Sequence, residues 1–221
     1  MPMTSLLAWR STSRDNYIQV ADELRSSLVA LAARFFPDPH DFLDSLSPCG
    51  ALIVGDAALS QVLHDPSLCN ASFELAVGSM YFQAFVDNLE RLFPVGSALE
   101  SRMDRRTSDG FAYHRHVTRI SEFRLYPGLF VTVYESCTPS ACDVVSGYWT
   151  TGLMNFVTAY TFGCAYPRLT LNHRALMCDT RIPWMGWSDY DMGRRMIAHG
   201  FEIECYPHKW PLYAREPSSS A

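Results

Sequence analysis

Two stretches decide how this chain folds: Leu52-Ile53-Val54-Gly55-Asp56-Ala57-Ala58-Leu59 and, after a loop, Asn70-Ala71-Ser72-Phe73-Glu74-Leu75-Ala76-Val77. Ala51 to Val54 is an apolar run of strand length, Gly55 turns the chain, and Asp56 to His64 reads as a helix with Asp56 as its cap. Ser72 to Val77 alternates in the two-residue period of a strand. Met80 to Phe93 then returns to helical spacing through Phe82, Phe85, Val86, Leu89 and Leu92. Strand, helix, strand and helix in succession place the chain among mixed helix and sheet proteins.

Working outward, Asp15 caps a helix whose apolar positions Ile18, Ala21, Leu24, Leu28, Leu31 and Phe35 keep a three-to-four spacing, widened by Val20 and ended by Pro37. A short helix follows over Pro39 to Leu46. From Val95 to Gly110 apolar content drops, and Arg102, Arg105 and Arg106 mix with Asp104 and Asp109, the pattern of a solvated loop. Arg115 to Leu125 and Leu129 to Glu135 read as strands joined at Tyr126-Pro127-Gly128, a turn that makes them a hairpin. Pro139 to Ser146 suits a helix, Thr151 to Ala159 a second one or a buried loop, and Leu169 to Cys178 another helix. Trp184 to Asp189 reads as a loop, Tyr190 to His199 as a helix ended by Gly200, and Phe201 to Tyr206 as a last strand. The expected fold is α/β or α+β, a mixed sheet with helices mainly on one face. Residues 1–47 form an N-terminal helical segment, 48–215 the main domain and 216–221 a polar tail.

Composition bounds what such a domain can do. The 221 residues are 48% hydrophobic, enough for one buried core. A charged fraction of 19% and a formal net charge of −5 disfavour a sequence-blind grip on nucleic acid. The apolar stretch Leu6 to Trp9 lacks a cleavage pattern, so no secretory signal is expected. The run Gly152 to Pro167 is broken by Asn155, Thr158 and Thr161 and is shorter than the roughly 20 residues of a membrane span. Seven dispersed cysteines, an odd number, read as reduced thiols of an intracellular protein, cytoplasmic or nuclear.

The strand, glycine turn, helix and second strand resemble the opening of the nucleotidyltransferase fold, in which a Gly-Ser turn precedes a strand carrying Asp-x-Asp. A later set, Val131-Thr132-Val133, Pro139, Tyr148-Trp149-Thr150-Thr151, Leu153-Met154-Asn155-Phe156 and Ala165-Tyr166-Pro167-Arg168-Leu169-Thr170, is similar to a fingerprint of nucleotidyltransferase-like proteins multiplied in mushroom-forming fungi. The match spans roughly residues 48 to 178. The resemblance implies a cleft in which Asp-x-Asp and a third acid from a neighbouring strand hold two divalent metals. Here Ser72 and Glu74 stand at the Asp-x-Asp positions, and the strand expected to give the third acid has none until Glu135.

Hard cations need charged oxygen ligands, so Mg or Mn is expected to be held poorly. In the turn, Asp56 replaces the serine and opposes a phosphate by roughly 4 kcal/mol at about 4 Å. The alternatives for Asp56 are an ordinary cap or a substitute ligand. The implied protein is catalytically degenerate, without a cofactor, and binds a nucleotide or a protein partner through Gly55, Asp56, Ser72, Glu74 and Glu135. The competing readings are a divergent metal-dependent transferase using Asp56, Glu74 and Glu135, and a structural paralogue with no ligand.

Other constellations are weaker. Cys137, Cys142, His114, His116, Cys205 and His208 lack close zinc-ligand spacing and read as scattered thiols and imidazoles. No hydrolase elbow, Walker loop or dinucleotide-binding glycine pattern occurs. Arg102 to Arg106 with Arg115, Arg119 and Arg124 are interleaved with acids, as on a mixed-charge surface. Trp184, Trp187 and Trp210 read as rings closing a core.

Overall fold

A computed structural model describes residues 1–93, 99–106, 115–125, 127–178 and 187–210. The chain begins with three helices, α1 (Met3–Arg10), α2 (Arg14–Ala32) and α3 (Pro39–Leu46). Strand β1 (Leu52–Val54) runs into α4 (Gly55–Leu63), then β2 (Ser72–Val77) into α5 (Phe82–Arg91). Strands β3 (Leu99–Arg106), β4 (Val117–Leu125) and β5 (Leu129–Ser136) follow. After α6 (Cys142–Ser146) come β6 (Asn155–Val157), β7 (Phe162–Cys164), α7 (Pro167–Thr170), β8 (Arg174–Leu176), α8 (Trp187–Ala198) and β9 (Glu202–Glu204).

Seven strands form one sheet in the order β3-β4-β5-β2-β1-β6-β7, and β8 and β9 form a parallel pair. Within the large sheet only β2 and β5 pair in parallel, so the sheet is mixed. The fold class expected from the sequence is the one observed. Register assigns the faces. Ile53, Phe73, Leu75, Val77, Val131, Val133 and Phe123 share one face, and pack with Leu28 and Leu31 of α2, Phe42 and Leu43 of α3, and Phe85 and Leu89 of α5. The other face carries Leu52, Val54, Ala76 and Ile120 against Val144 and Val145 of α6, Tyr148, Trp149, and Met192 and Met196 of α8. The longer helical layer therefore lies on the first face, with a smaller one opposite.

Helix α4 is buried at every residue. Its small side chains permit this, since Ala57 and Ala58 join the first core while Leu59 and Leu63 join the second. An aromatic cluster locks the first layer: Phe73 of β2 has Phe35, Phe36 and Phe42 within 5.6 Å of its ring centre. No described helix is long and apolar enough to cross a membrane.

Several sequence expectations change. The cap of α2 is Ser13, whose hydroxyl accepts the Asn16 amide, rather than Asp15. Its buried stripe is Val20, Leu24, Leu28 and Leu31, leaving Ile18 and Ala21 exposed, and Phe35 lies beyond its end. The supposed loop at 95–110 contains β3. Its charges suit an edge strand, where they discourage pairing with another chain, and Arg102 bonds both Asp104 and Glu90. Thr151 to Ala159 holds a short 3-10 turn and β6 rather than a helix or loop. Leu169 to Cys178 holds the end of α7, a turn and the three residues of β8 rather than one helix, Trp187 to Asp189 belong to α8, and the last strand shortens to β9. The expectations for Tyr126, Asp109, His114, Trp184 and the 216–221 tail lie outside the described residues.

Candidate functional site

The site predicted from the sequence gathers where β1 ends and α4 begins. Gly55 has φ of +62°, a left-handed conformation that disfavours any side chain. A Cβ added there would overlap Glu74 Oε2 and come within 3.1 Å of Tyr148 Oη. The antiparallel register sets this contact, because Val54 pairs with Glu74 and the next residue swings over its carboxylate. Tyr148 Oη donates to Glu74 Oε2 at 2.7 Å, and Tyr134 Oη donates to Oε1 at 3.2 Å. Each oxygen of the half-buried carboxylate thus accepts a phenol, while the group rests at the positive end of α4. Glu74 sits where an incoming phosphate would meet the first turn.

Asp56 is not the cap of α4. The cap position is Val54, and no side chain closes it. Asp56 lies within the first turn, 4% exposed, and its Oδ2 receives Arg195 Nη2 from α8 at 2.6 Å. Arg195 also pairs with Asp191 one turn earlier on α8. Burial pushes the Asp56 carboxyl above its usual range, and Arg195 pulls it part of the way back. Arg195 Nε is buried and has no partner among the described residues.

Ser72 and Glu74 share a face of β2, as two-residue spacing requires. The adjacent strand is β5, and the residue level with Glu74 is Thr132. Glu135 does not join them. It pairs with Val77 in register, one residue out of phase with the Ser72 and Glu74 face, and bonds Arg119 Nε at 3.1 Å, whose guanidinium lies over Phe82 on the first face. The structure therefore brings Gly55, Glu74 and Ser72 together, holds Asp56 against α8, and separates Glu135 by the thickness of the sheet.

Glu122 of β4, level with Thr132, does share the Glu74 face, two strands away or roughly 10 Å at the backbone. The sequence reading placed it only among the acids of a mixed-charge surface, and alternation along β4 was the signal for its face. Arg195 and Tyr134 were also given no role, and Tyr148 entered only as part of the fingerprint. Nothing local marks them, because their partners are 60 to 139 residues away.

This donor set does not fit a pair of divalent metals. Ser72 and Thr132 are neutral, Glu74 accepts two phenols, Asp56 is paired with a guanidinium, and Glu135 faces away. The scattered Cys and His residues behave similarly. His116 Nδ1 lies 3.1 Å from Asp143 Oδ1, and Cys137 Sγ donates to Oδ2 at 2.9 Å. Burial pushes the Asp143 carboxyl up, but these bonds outweigh it and hold it below the usual value. Among the described residues no group of three His, Cys, Asp or Glu side chains could hold a metal.

No protein-family model matches the chain, and neither does any curated protein. Two solved structures are similar to it in backbone path. One is the apo form of a CCA-adding enzyme, 12% identical over 92% of this chain with a TM-score of 0.47. The other is the Thermotoga maritima CCA-adding enzyme complexed with tRNA, 11% identical over 92% of this chain with a TM-score of 0.45. The chain spans less than half the length of either, 43% and 42%.

Proposed function

We propose that this chain is a nucleotidyltransferase-like module that acts by binding, with a nucleotide or a protein partner at the β1-α4-β2 site, and without metal-dependent transfer. The fungal-type fingerprint and an intracellular setting belong to the same reading, the latter supported by seven free cysteines. The observation that carries it is the state of Glu74. Both of its oxygens accept phenols, and it covers Gly55 where phosphate contact would begin. Supporting it, the position level with Glu74 on the neighbouring strand is a threonine, and the two other candidate acids, Asp56 and Glu135, are each bonded to an arginine.

The test is a thermal-shift and calorimetric titration with the four ribonucleoside triphosphates, each with and without magnesium and manganese. Binding that is indifferent to the metal supports a nucleotide ligand in a module without transfer chemistry. Silence towards every nucleotide directs the search to a protein partner or a scaffold role. Stabilisation that requires the metal and disappears in Glu74→Ala would overturn the proposal in favour of a divergent transferase.

A further inference from the structure

Away from this site, a cavity of about 730 Å³ lies between α1, α2 and the hairpin of β6 and β7. Its volume is in the range of pockets that enclose a drug-sized molecule. The walls are apolar, from Val20, Leu24 and Leu28 of α2 and from Val157 and Phe162 of the hairpin. Its charged lining residues are Arg10, Arg25 and Asp22, a net positive set on a chain whose formal charge is −5.

Both guanidiniums are placed rather than loose. Arg10 lies over the Tyr17 ring at 4.2 Å, and Arg25 over the Tyr160 ring at 5.7 Å while its Nη1 donates to the Ala159 carbonyl. The remaining N–H groups keep the fork that suits a carboxylate or phosphate. Tyr17 and Tyr160 also line the cavity and are 49% and 74% exposed, so each leaves much of its ring open to an occupant or to solvent. Deep in the wall is Gln61, 3% exposed, whose Nε2 donates to Leu24 O at 2.8 Å. That bond fixes the amide in the cavity wall.

We infer that this cavity is a binding site for an amphiphilic anion, an apolar chain or ring ending in a carboxylate or phosphate, with Arg10 and Arg25 taking the charged end and the α2 and hairpin walls taking the body. An all-apolar occupant would leave two arginines unanswered, and a cation would face the wrong sign. The site is separate from the Glu74 centre and does not depend on that reading.

Calorimetry on the full chain with octanoate, octyl phosphate, octanol and octyltrimethylammonium tests it. One or both anions should saturate a single site, with the alcohol and the cation at least tenfold weaker. Which anion binds identifies the charged end. Arg10→Gln and Arg25→Gln should each weaken anion binding at least tenfold, and Ala21→Trp, introduced from an exposed lining position of α2, should abolish it. Because Arg25 also holds Ala159, Arg10→Gln is the deciding variant, with an unchanged melting temperature as its control. Equal affinity for octanol, no saturable binding by either anion, or full affinity in Arg10→Gln would overturn the assignment.

Discussion

A methyl group at position 55 would meet the carboxylate of Glu74. Two costs add there: the left-handed φ, about 1–2 kcal/mol for a residue with a side chain, and displacement of a carboxylate that accepts two phenols. Gly55→Ala is therefore expected to lose about 2 kcal/mol or more in urea denaturation. Removing the obstructing group in Gly55→Ala with Glu74→Ala should recover part of that loss. The double variant should depart from additivity by about 1 kcal/mol. Strict additivity would mean that the two residues do not meet. This pair was legible in the sequence as a turn glycine and a strand acid two residues after a serine. The phenols that occupy the acid were not, because Tyr134 and Tyr148 come from distant parts of the chain and only folding assigns them to Glu74. Glu135 shows the complementary failure: its type suggested a ligand, and strand phase sent it to the opposite face.

At the scale of elements, legibility followed how much of an element's stability is local. Helix α3 and strand β2 appear over the residues expected, because one has a helix period opened by Asp38 and proline, and the other alternates cleanly. The hairpin of β4 and β5 was readable from its turn, where Gly128 has φ of +78°. Strands β6, β7 and β8 have three residues each, too few for a period, and exist because a partner supplies their hydrogen bonds. Edge strand β3 hid for another reason, since its charges resemble a loop in composition. What holds the legible elements together is the aromatic cluster around Phe73, fully buried between α2, α3 and β2. Phe73→Ala should cost about 3–5 kcal/mol by equilibrium denaturation, the range for deleting a buried ring from a packed core. A loss below about 1 kcal/mol would show that this layer is loosely packed.

Across the whole molecule, the Asp56 to Arg195 pair ties the C-terminal unit of β8, α8 and β9 to the first turn of α4. A pair with one side this deeply buried is weak evidence for stability, but breaking it leaves an uncompensated charge. The sign of its pH dependence follows from the raised carboxyl of Asp56. Relative to the unfolded chain, that group contributes stability that is complete below the ordinary carboxylate range, and that is lost as pH rises through the higher folded value. Arg195 limits the loss by favouring the charged form. Arg195→Ala should therefore lower stability by about 3 kcal/mol near neutral pH and recover much of it on acidification, as Asp56 takes up a proton. Asp56→Asn removes the titrating group and should give a flatter profile than either. Arg195→Ala also breaks the pair with Asp191, whereas Asp56→Asn leaves that pair in place, so comparison of the two curves separates the share of Asp56. Urea midpoints between about pH 4 and pH 8 decide the matter. A deficit in Arg195→Ala that stays constant over that interval would mean that the guanidinium acts through packing of α8, and that the buried carboxylate of α4 is not what it answers.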